Sequence, residues 1–197
     1  RSRRHCTSSN GSGTDSGDAA VIALLFSSIL FLNMADNKST SEYGASRERQ
    51  INFNEFQNAV QKYFGKNPVI ESAIYGNSDV ETGGSFSYKQ KQYGNGPGIG
   101  LFQFDFHKPH YRKFLKEEGL SDSTDSQVRY VFENIYGKKK DVLGAGNAAR
   151  LRRSFQSDDP LFVSSEFLDV FLKPNPDKQH RDRRMNSTNR FYKQLTQ

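Results

Sequence analysis

The sequence predicts a mainly α-helical domain, on three kinds of observation. Apolar residues recur at helical spacing along the chain from residue 51, as in the series Phe53, Phe56, Val60 and Phe64. Asn-Pro or Asp-Pro pairs, which suit a helix cap followed by the first helical residue, precede three of the predicted helices. Glycines follow several of these apolar runs, as expected for helix C-terminal caps. We therefore expect helices through residues 51–197, interrupted by one short extended or β segment.

The first predicted helix starts at about Asn52. Asn52-x-x-Glu55 is a variant of the capping box that marks helix starts, and Gly65 suits the end of the same helix. The preceding residues 35–50 are polar, so we expect them to form a flexible lead-in.

The second predicted helix opens at Asn67-Pro68 and stops at Gly83-Gly84. Glu81 then lies at the C-terminal end of a helix, where the helix dipole disfavours a negative charge and raises the pKa of a carboxyl group. Asn77 precedes Glu81 by one helical turn and shares its face.

A glycine-rich stretch follows the second helix. Ser85–Tyr93 is predicted to be a short strand or an extended loop, and Gly94–Gly100 a turn-rich loop. The next segment, Leu101–Phe106, is too apolar to lie loose on a surface, so we expect it to pack inward.

Five further helices are predicted in the second half of the chain. They begin near Lys108-Pro109, at Asp122 or Ser123, near Asn147, at Asp159-Pro160 and at Asn175-Pro176. The last helix is expected to bury the stripe Met185, Thr188, Tyr192 and Leu195. The basic residues between Lys173 and Lys193, Arg184 among them, are interpreted as a solvated helix face, with attraction to an anionic polymer as the alternative.

Residues 1–50 are predicted to be a separate N-terminal region. Its first part is rich in Ser, Gly and Arg, which is typical of disorder, and residues 19–32 form an apolar run. That run is shorter than the roughly 20 residues that span a membrane, and with the upstream arginines it resembles part of a signal peptide. Two interpretations stay open. The region is a signal or anchor, or it is upstream sequence before a start at Met34.

Composition limits the possible functions. The chain carries 28 Lys and Arg against 22 Asp and Glu, a net charge of +6, which favours an anionic partner such as nucleic acid, a membrane surface or cell-wall glycan. Its single cysteine, Cys6, cannot form an intrachain disulfide or a cysteine metal cluster. No cofactor is predicted, and neither is a metal site, since His107 and His110 lack a convincing set of acidic partners. No nucleic-acid-binding motif is recognisable.

The residues around Glu81 suit the cleavage of a glycosidic bond. Apolar neighbours raise the pKa of a carboxyl group toward neutrality, which allows it to protonate the leaving oxygen. Gln103 can donate to and accept from sugar hydroxyls, and Tyr88 and Tyr93 suit sugar rings. Each of these residues also has a structural interpretation. In that interpretation Gln103 is a buried amide that holds the loop, and the two tyrosines are packing residues. Gly100, Phe104 and Asn77 complete the predicted substrate-binding set.

The motif Asn77-x-x-x-Glu81-Thr82-Gly83, followed by a glycine-rich spacer and Gly98-Ile99-Gly100-Leu101-Phe102-Gln103-Phe104, resembles the catalytic core of the lysozyme-like superfamily. Within it, the chain is most similar to phage tail-associated and virion lysozymes and lytic transglycosylases. Ser126-Gln127-x-x-Tyr130 resembles a later helix that packs behind the site. Phe162 through Pro174 and then Arg184-x-x-Ser187-x-x-x-x-Tyr192 resemble the closing pair of helices.

The resemblance implies a lysozyme-like catalytic domain at residues 51–197 that cleaves peptidoglycan between N-acetylmuramic acid and N-acetylglucosamine, with Glu81 as acid and then base. It implies a muramidase or a lytic transglycosylase in a phage virion or outside the cytoplasm, with glycan strands and other virion proteins as partners. No second carboxylate stands in an obvious catalytic position, which favours transglycosylase chemistry slightly. The alternative is a catalytically inactive virion or wall-binding protein on the same scaffold. We expect no specific nucleic acid, and membrane contact only if residues 19–32 are retained.

Overall fold

The structure, a computed structural model, describes residues 40–92, 96–137 and 142–197. The chain divides into two compact units, Arg1–Tyr43 and Gly44–Gln197. Residues 1–39, which include the predicted disordered stretch and the apolar run, lie outside the described residues. The domain boundary predicted at residue 51 and both interpretations of the N-terminal region therefore stay predictions.

Seven α-helices make up most of the described chain, which confirms the mainly helical prediction. They are α1 (Thr40–Phe64), α2 (Pro68–Thr82), α3 (Lys108–Glu118), α4 (Thr124–Ile135), α5 (Gly144–Ser154), α6 (Pro160–Phe167) and α7 (Arg181–Leu195). Helix α6 continues into a π-helical turn, Leu168–Leu172. The predicted β segment is not confirmed, because the described residues between α2 and α3 contain only an isolated bridge between Lys91 and Ile99. None of the described helices is long and apolar enough to cross a membrane.

Helix α1 starts earlier than the sequence suggested. It begins at Thr40, so the predicted start at Asn52 and the predicted flexible lead-in up to residue 50 are wrong. The segment from Ala45 to Gln50 consists largely of Ala, Arg, Glu and Gln, which are strong helix formers and extend the helix without an apolar stripe. Asn52 lies inside α1, where its Nδ2 donates a hydrogen bond to the carbonyl oxygen of Ser85, 3.1 Å away.

The last helix also differs from the prediction. Asn175 caps only a short 3₁₀ turn, Pro176–Lys178, and α7 begins at Arg181 after His180 takes a left-handed conformation with φ 46°. Of the predicted stripe only Thr188 is fully buried, and the other buried residues of α7 are Arg184, Ser187 and Phe191. The buried face is largely polar because α7 packs against a polar surface of α2.

Helix α2 is the centre of the unit. As predicted, Asn67 caps its start, where Oδ1 accepts from the amides of Val69 and Ile70, and Gly83 ends it in a left-handed conformation. Eleven of its residues are buried, because α6 and α7 both pack against it. Gly76 faces α7 so closely that a Cβ atom at this position would lie 2.5 Å from the amide nitrogen and 2.7 Å from the Cα of Thr188.

Because the two helices approach so closely at Gly76, we expect one methyl group added there to lower the stability of the domain strongly. We expect Gly76→Ala to lower the free energy of unfolding by about 3 kcal/mol or more, because the contact is with backbone atoms that cannot rotate away. Gly146→Ala is the matched control: Gly146 also lies in a helix, but a Cβ atom there meets nothing within 4 Å, so we expect no loss. Urea unfolding measures both, and equal stability of the two variants would contradict the prediction.

The aromatic side chains form a continuous core between the helices. Phe102 contacts Phe56 from α1, Phe167 from α6 and Phe171 from the π-helical turn. Leu101, Phe102 and Phe104 are buried, which confirms that the segment after the glycine-rich loop packs inward as far as Phe104, whereas Phe106 at its end is 40% exposed and does not. This segment therefore anchors the loop that follows α2 to the centre of the domain.

His107 is buried at the end of the same segment. Its Nε2 lies 3.0 Å from the carbonyl oxygen of Phe171 and its Nδ1 lies 3.1 Å from the hydroxyl of Tyr130. Because a carbonyl can only accept, Nε2 carries the proton, and Nδ1 accepts from the tyrosine. Burial lowers the pKa of His107 to about 4, so the ring is neutral at pH 7.

This histidine predicts a loss of stability in acid. Between pH 6.5 and about 4 the unfolded chain binds a proton at His107 that the folded chain does not, so the free energy of unfolding falls as the pH falls. We expect a loss of roughly 3 kcal/mol over that interval. The test is urea unfolding at several pH values for wild type, His107→Gln and the exposed control His110→Gln. An unchanged pH slope in His107→Gln would refute the assignment.

Candidate functional site

Glu81 lies in the last turn of α2, next to the paired glycines that end the helix. Its side chain is 15% exposed, and its Oε1 accepts a hydrogen bond from the Nη2 of Arg184 at 2.9 Å. Among the described residues no other side chain or backbone group donates a hydrogen bond to the Glu81 carboxyl. The carboxyl is thus mostly shielded from water, and Oε2 remains available to a ligand.

Arg184 reaches Glu81 from the second turn of α7 and is almost completely buried, with 1% of its side chain exposed. Its Nε donates to the carbonyl oxygen of Gln179 at 2.6 Å, and its Nη1 lies 3.2 Å from the carbonyl oxygen of Asn77. Burial lowers the pKa of Arg184, and the Glu81 carboxylate opposes this effect. A guanidinium group stays protonated in proteins, so Arg184 presents a fixed positive charge with a fixed orientation.

The pKa of Glu81 is raised above its ordinary value. Burial is the largest cause, and it outweighs the opposing effects of the Arg184 charge, the hydrogen bond from Arg184 and the nearby His180. The C-terminal position in α2 acts in the same direction as burial, because the helix dipole disfavours a carboxylate there.

The arginine also determines where a proton on Glu81 resides. Arg184 can only donate hydrogen bonds, so Oε1 must act as the acceptor whether the carboxyl is charged or neutral. In the neutral acid the proton is therefore on Oε2, the oxygen that accepts no hydrogen bond from the part of the chain that the structure describes. A neutral Glu81 is thereby oriented as a proton donor toward whatever ligand lies beside it.

A buried polar network holds this pair in place. Asn77 lies behind Glu81 on α2, and its Nδ2 is 2.9 Å from the Oγ of Ser164 on α6. The hydroxyl of Thr188 on α7 donates to the same Oγ, also at 2.9 Å. Each of the three helices therefore contributes one hydrogen-bonding side chain, which fixes the position of α7 and of Arg184 relative to α2.

The loop between α2 and α3 is attached to α4 by a second buried amide. Gln127 accepts from the backbone amide of Leu101 at 2.9 Å and donates to the carbonyl oxygen of Tyr88, also at 2.9 Å. Gly100 permits this contact, because a Cβ atom there would lie 2.2 Å from the Gln127 Oε1, and its φ of 78° suits glycine.

A family model for phage tail lysozymes matches residues 47–195. The chain belongs to the phage tail lysozyme family. No curated protein and no solved structure gives a significant match. The match extends from α1 to the end of α7 and includes Glu81, Arg184 and the loop between α2 and α3. At the level of the family, the chain is therefore a lysozyme-like phage protein of the class that degrades peptidoglycan, and the family indicates association with the virion.

Two of the predicted substrate-binding residues are buried. Asn77 is fully buried and hydrogen-bonded to Ser164 and Arg184, which favours a supporting role in the site. Phe104 is also buried, with its ring against Tyr111 and Tyr130, which favours a packing role. The contacts of both residues with the substrate stay predictions.

The remaining predicted residues lie in or near the loop. Gln103 is turned inward, with Nε2 donating to the carbonyl oxygen of Gly100 at 2.9 Å, which favours a role in holding the loop. Tyr88 is half-buried against the core, and the amine of Lys89 lies 5.3 Å from the centre of its ring. Gly100 is buried and its role is steric. Tyr93 lies outside the described residues, so its contact with the substrate stays a prediction.

Arg184 was predicted to belong to a solvated basic face, and this is wrong, because its side chain is buried and faces Glu81. A signal was present: Arg184, Thr188 and Phe191 follow helical spacing, and all three are buried.

The ion pair predicts that Arg184 lowers the pKa of Glu81. We expect Arg184→Gln to raise the pKa of Glu81 further, because the opposing positive charge is lost while most of the burial remains. The same variant should lose about 3–5 kcal/mol of stability, as expected when one partner of a buried ion pair is removed.

Carbon-detected NMR titration of the Glu81 carboxyl measures the shift. Arg190→Gln is the control, since Arg190 lies on the same helix but pairs with Asp79 at 2.9 Å and is half-exposed. A Glu81 pKa that moves equally in both variants would contradict a specific effect of Arg184.

Proposed function

We propose that the chain is a peptidoglycan-cleaving glycosidase in which Glu81 protonates the oxygen that leaves when the bond between N-acetylmuramic acid and N-acetylglucosamine breaks. One observation carries the proposal: in a member of the phage tail lysozyme family, a shielded carboxyl with a raised pKa keeps one oxygen that accepts no hydrogen bond from the described residues. These are the properties that a general acid requires near neutral pH.

Arg184 acts as a positioning residue in this proposal. Before the reaction it holds Oε1, so that the proton on Oε2 points away from the protein. After proton transfer it stabilises the carboxylate that forms, because its charge is already within hydrogen-bond distance. The same carboxylate is then ready to accept a proton from the attacking nucleophile.

The nearest acidic residue along the chain, Asp79, is not available as a second catalytic group. Its Oδ2 accepts from the hydroxyl of Ser187 at 2.6 Å and from Arg190 at 2.9 Å, so it serves to hold α7. A mechanism with a single carboxyl group is therefore favoured. In that mechanism the bond from the muramyl C1 to the glycosidic oxygen breaks, and this oxygen takes the Glu81 proton. The muramyl 6-hydroxyl attacks C1 and returns its proton to Glu81, leaving a 1,6-anhydro end.

The proposal is tested by a zymogram on purified cell wall. Glu81→Gln keeps the shape of the side chain but has no acidic proton, so we expect cleavage to fall by a factor of 10² to 10⁴, the usual contribution of general acid catalysis. Asp158→Asn is the control and should keep most of the activity, because Asp158 is an exposed carboxyl outside the helices. Mass spectrometry of the products should show anhydro ends, whereas reducing ends would indicate hydrolysis by water. Equal clearing by wild type and Glu81→Gln would remove Glu81 from the mechanism.

A second function is favoured by one observation. The ion pair with Arg184 stabilises the charged form of Glu81, which suits a wall-binding virion protein that no longer cleaves. That protein would bind purified wall and release no soluble muropeptides, and its Glu81→Gln variant would bind equally well. Release of muropeptides by wild type, and not by the variant, excludes it.

A further inference from the structure

A surface cavity of about 410 Å³ lies between α1 and the loop that follows α2. This volume falls in the range of sites that bind small ligands. Apart from Ala45, the lining residues are of polar or charged types, and the side chains that matter here are Glu48, Arg49, Asn52, Lys89, Gln90 and Lys91. Neither Glu81 nor Arg184 lines the cavity, so it is separate from the acid itself.

The cavity begins at the turn that follows the proposed acid. Ser85, four residues beyond Glu81, is part of its wall. A chain rises by at most about 3.6 Å per residue, so this wall starts within roughly 14 Å of Glu81. Arg49 lies against the same turn, since a Cβ atom at Gly84 would be 3.7 Å from its guanidinium carbon. A peptide of about four extended residues spans this distance, so a peptide attached to the glycan at the cleavage point is long enough to reach the cavity.

Hydrogen bonds hold the two walls together. Asn52 on α1 donates to the carbonyl oxygen of Ser85 at 3.1 Å, and the Ser85 hydroxyl donates to the Oε1 of Gln90 at 3.0 Å. The side-chain Nε2 of Gln90 donates to the carbonyl oxygen of Lys91 at 2.8 Å. The loop wall is thus fixed both to α1 and within itself, which keeps the cavity open between them.

The charges around the cavity favour an anion. Arg49, Lys89 and Lys91 bring three positive charges, and Glu48 is the one acidic residue among the described lining residues. Lys89 is partly held by the ring of Tyr88, with 5.3 Å between its amine and the ring centre. A ligand with one or more carboxylates would meet a net positive field there.

We propose that this cavity binds a carboxylate of the peptide attached to the muramyl unit, so that the chain recognises peptide-substituted glycan. This inference rests on the proposed function for its substrate. The alternative anion on a cell wall is the phosphate of a polymer joined to the glycan. The peptide is favoured because it hangs from the 3-position of the muramyl ring and leaves the 6-hydroxyl free, as the proposed reaction requires.

The test measures binding rather than cleavage, so that it does not depend on the role of Glu81. Wild type and Glu81→Gln are titrated calorimetrically with soluble glycan oligomers that carry peptides, with peptide-free oligomers and with oligomers that carry a phosphate polymer. In the Glu81→Gln background, Lys89→Gln combined with Lys91→Gln should weaken binding to peptide-bearing oligomers about tenfold, with little change for peptide-free oligomers. Glu48→Gln should strengthen binding to peptide-bearing oligomers about threefold, because the opposing charge is lost.

Lys116→Gln is the matched control, because Lys116 is an exposed lysine on α3 that does not line the cavity. It should leave all three affinities unchanged, and urea unfolding checks that every variant is folded. Equal weakening for peptide-bearing and peptide-free oligomers, no weakening at all, or a preference for the phosphate-bearing oligomers would each overturn the proposal. Failure of wild type and Glu81→Gln to bind any oligomer would also overturn it. Loss of cleavage in Glu81→Gln with these binding differences intact supports both proposals separately.

Discussion

The close contact between α2 and α7 is the constraint on which the site depends. Gly76 leaves no room for a side chain opposite the backbone of Thr188, and this allows the two helices to approach along their polar faces. Five residues later on α2 and four residues earlier on α7, the same approach brings Arg184 within 2.9 Å of Glu81. Because the helices run in opposite directions, the C-terminal end of α2 meets the N-terminal end of α7, and the acid and its counter-ion lie at the same end of the domain.

Burying an arginine and a glutamate is costly unless both are paired and their remaining hydrogen bonds are satisfied. For Arg184 the chain meets this requirement with backbone and amide groups. Gln179 and Asn77 accept from the other nitrogens of Arg184. Asn77 in turn donates to Ser164, whose hydroxyl also accepts from Thr188. The network explains why so polar a surface lies inside the domain. It also ties the position of the charge to the packing of α2, α6 and α7 rather than to a flexible loop.

The sequence predicted the parts of this arrangement that depend on local signals. The cap at Asn67 and the stop at Gly83 place Glu81 at the end of a helix, and the apolar run from Leu101 packs inward as expected. Arg184 could not be recognised with equal ease, because its partner lies 103 positions away and a basic run resembles a solvated face. The early start of α1 was missed because its first turns lack an apolar stripe, and a helix that covers little core leaves no periodic pattern.

The ion pair is compatible with acid catalysis because two effects on the Glu81 pKa respond differently to a bound ligand. The Arg184 charge lowers this pKa, and burial raises it. Arg184 is held by Gln179 and Asn77, so its distance from the carboxyl is set by the fold. The exposure of Glu81 is not fixed: a sugar bound over the remaining 15% of its surface would remove water and disfavour the carboxylate further. Binding therefore favours the protonated acid, and loss of the proton leaves a carboxylate beside a charge that is already in place. In the proposed reaction, Arg184 thus opposes protonation of Glu81 only moderately beforehand and stabilises the carboxylate that forms afterwards.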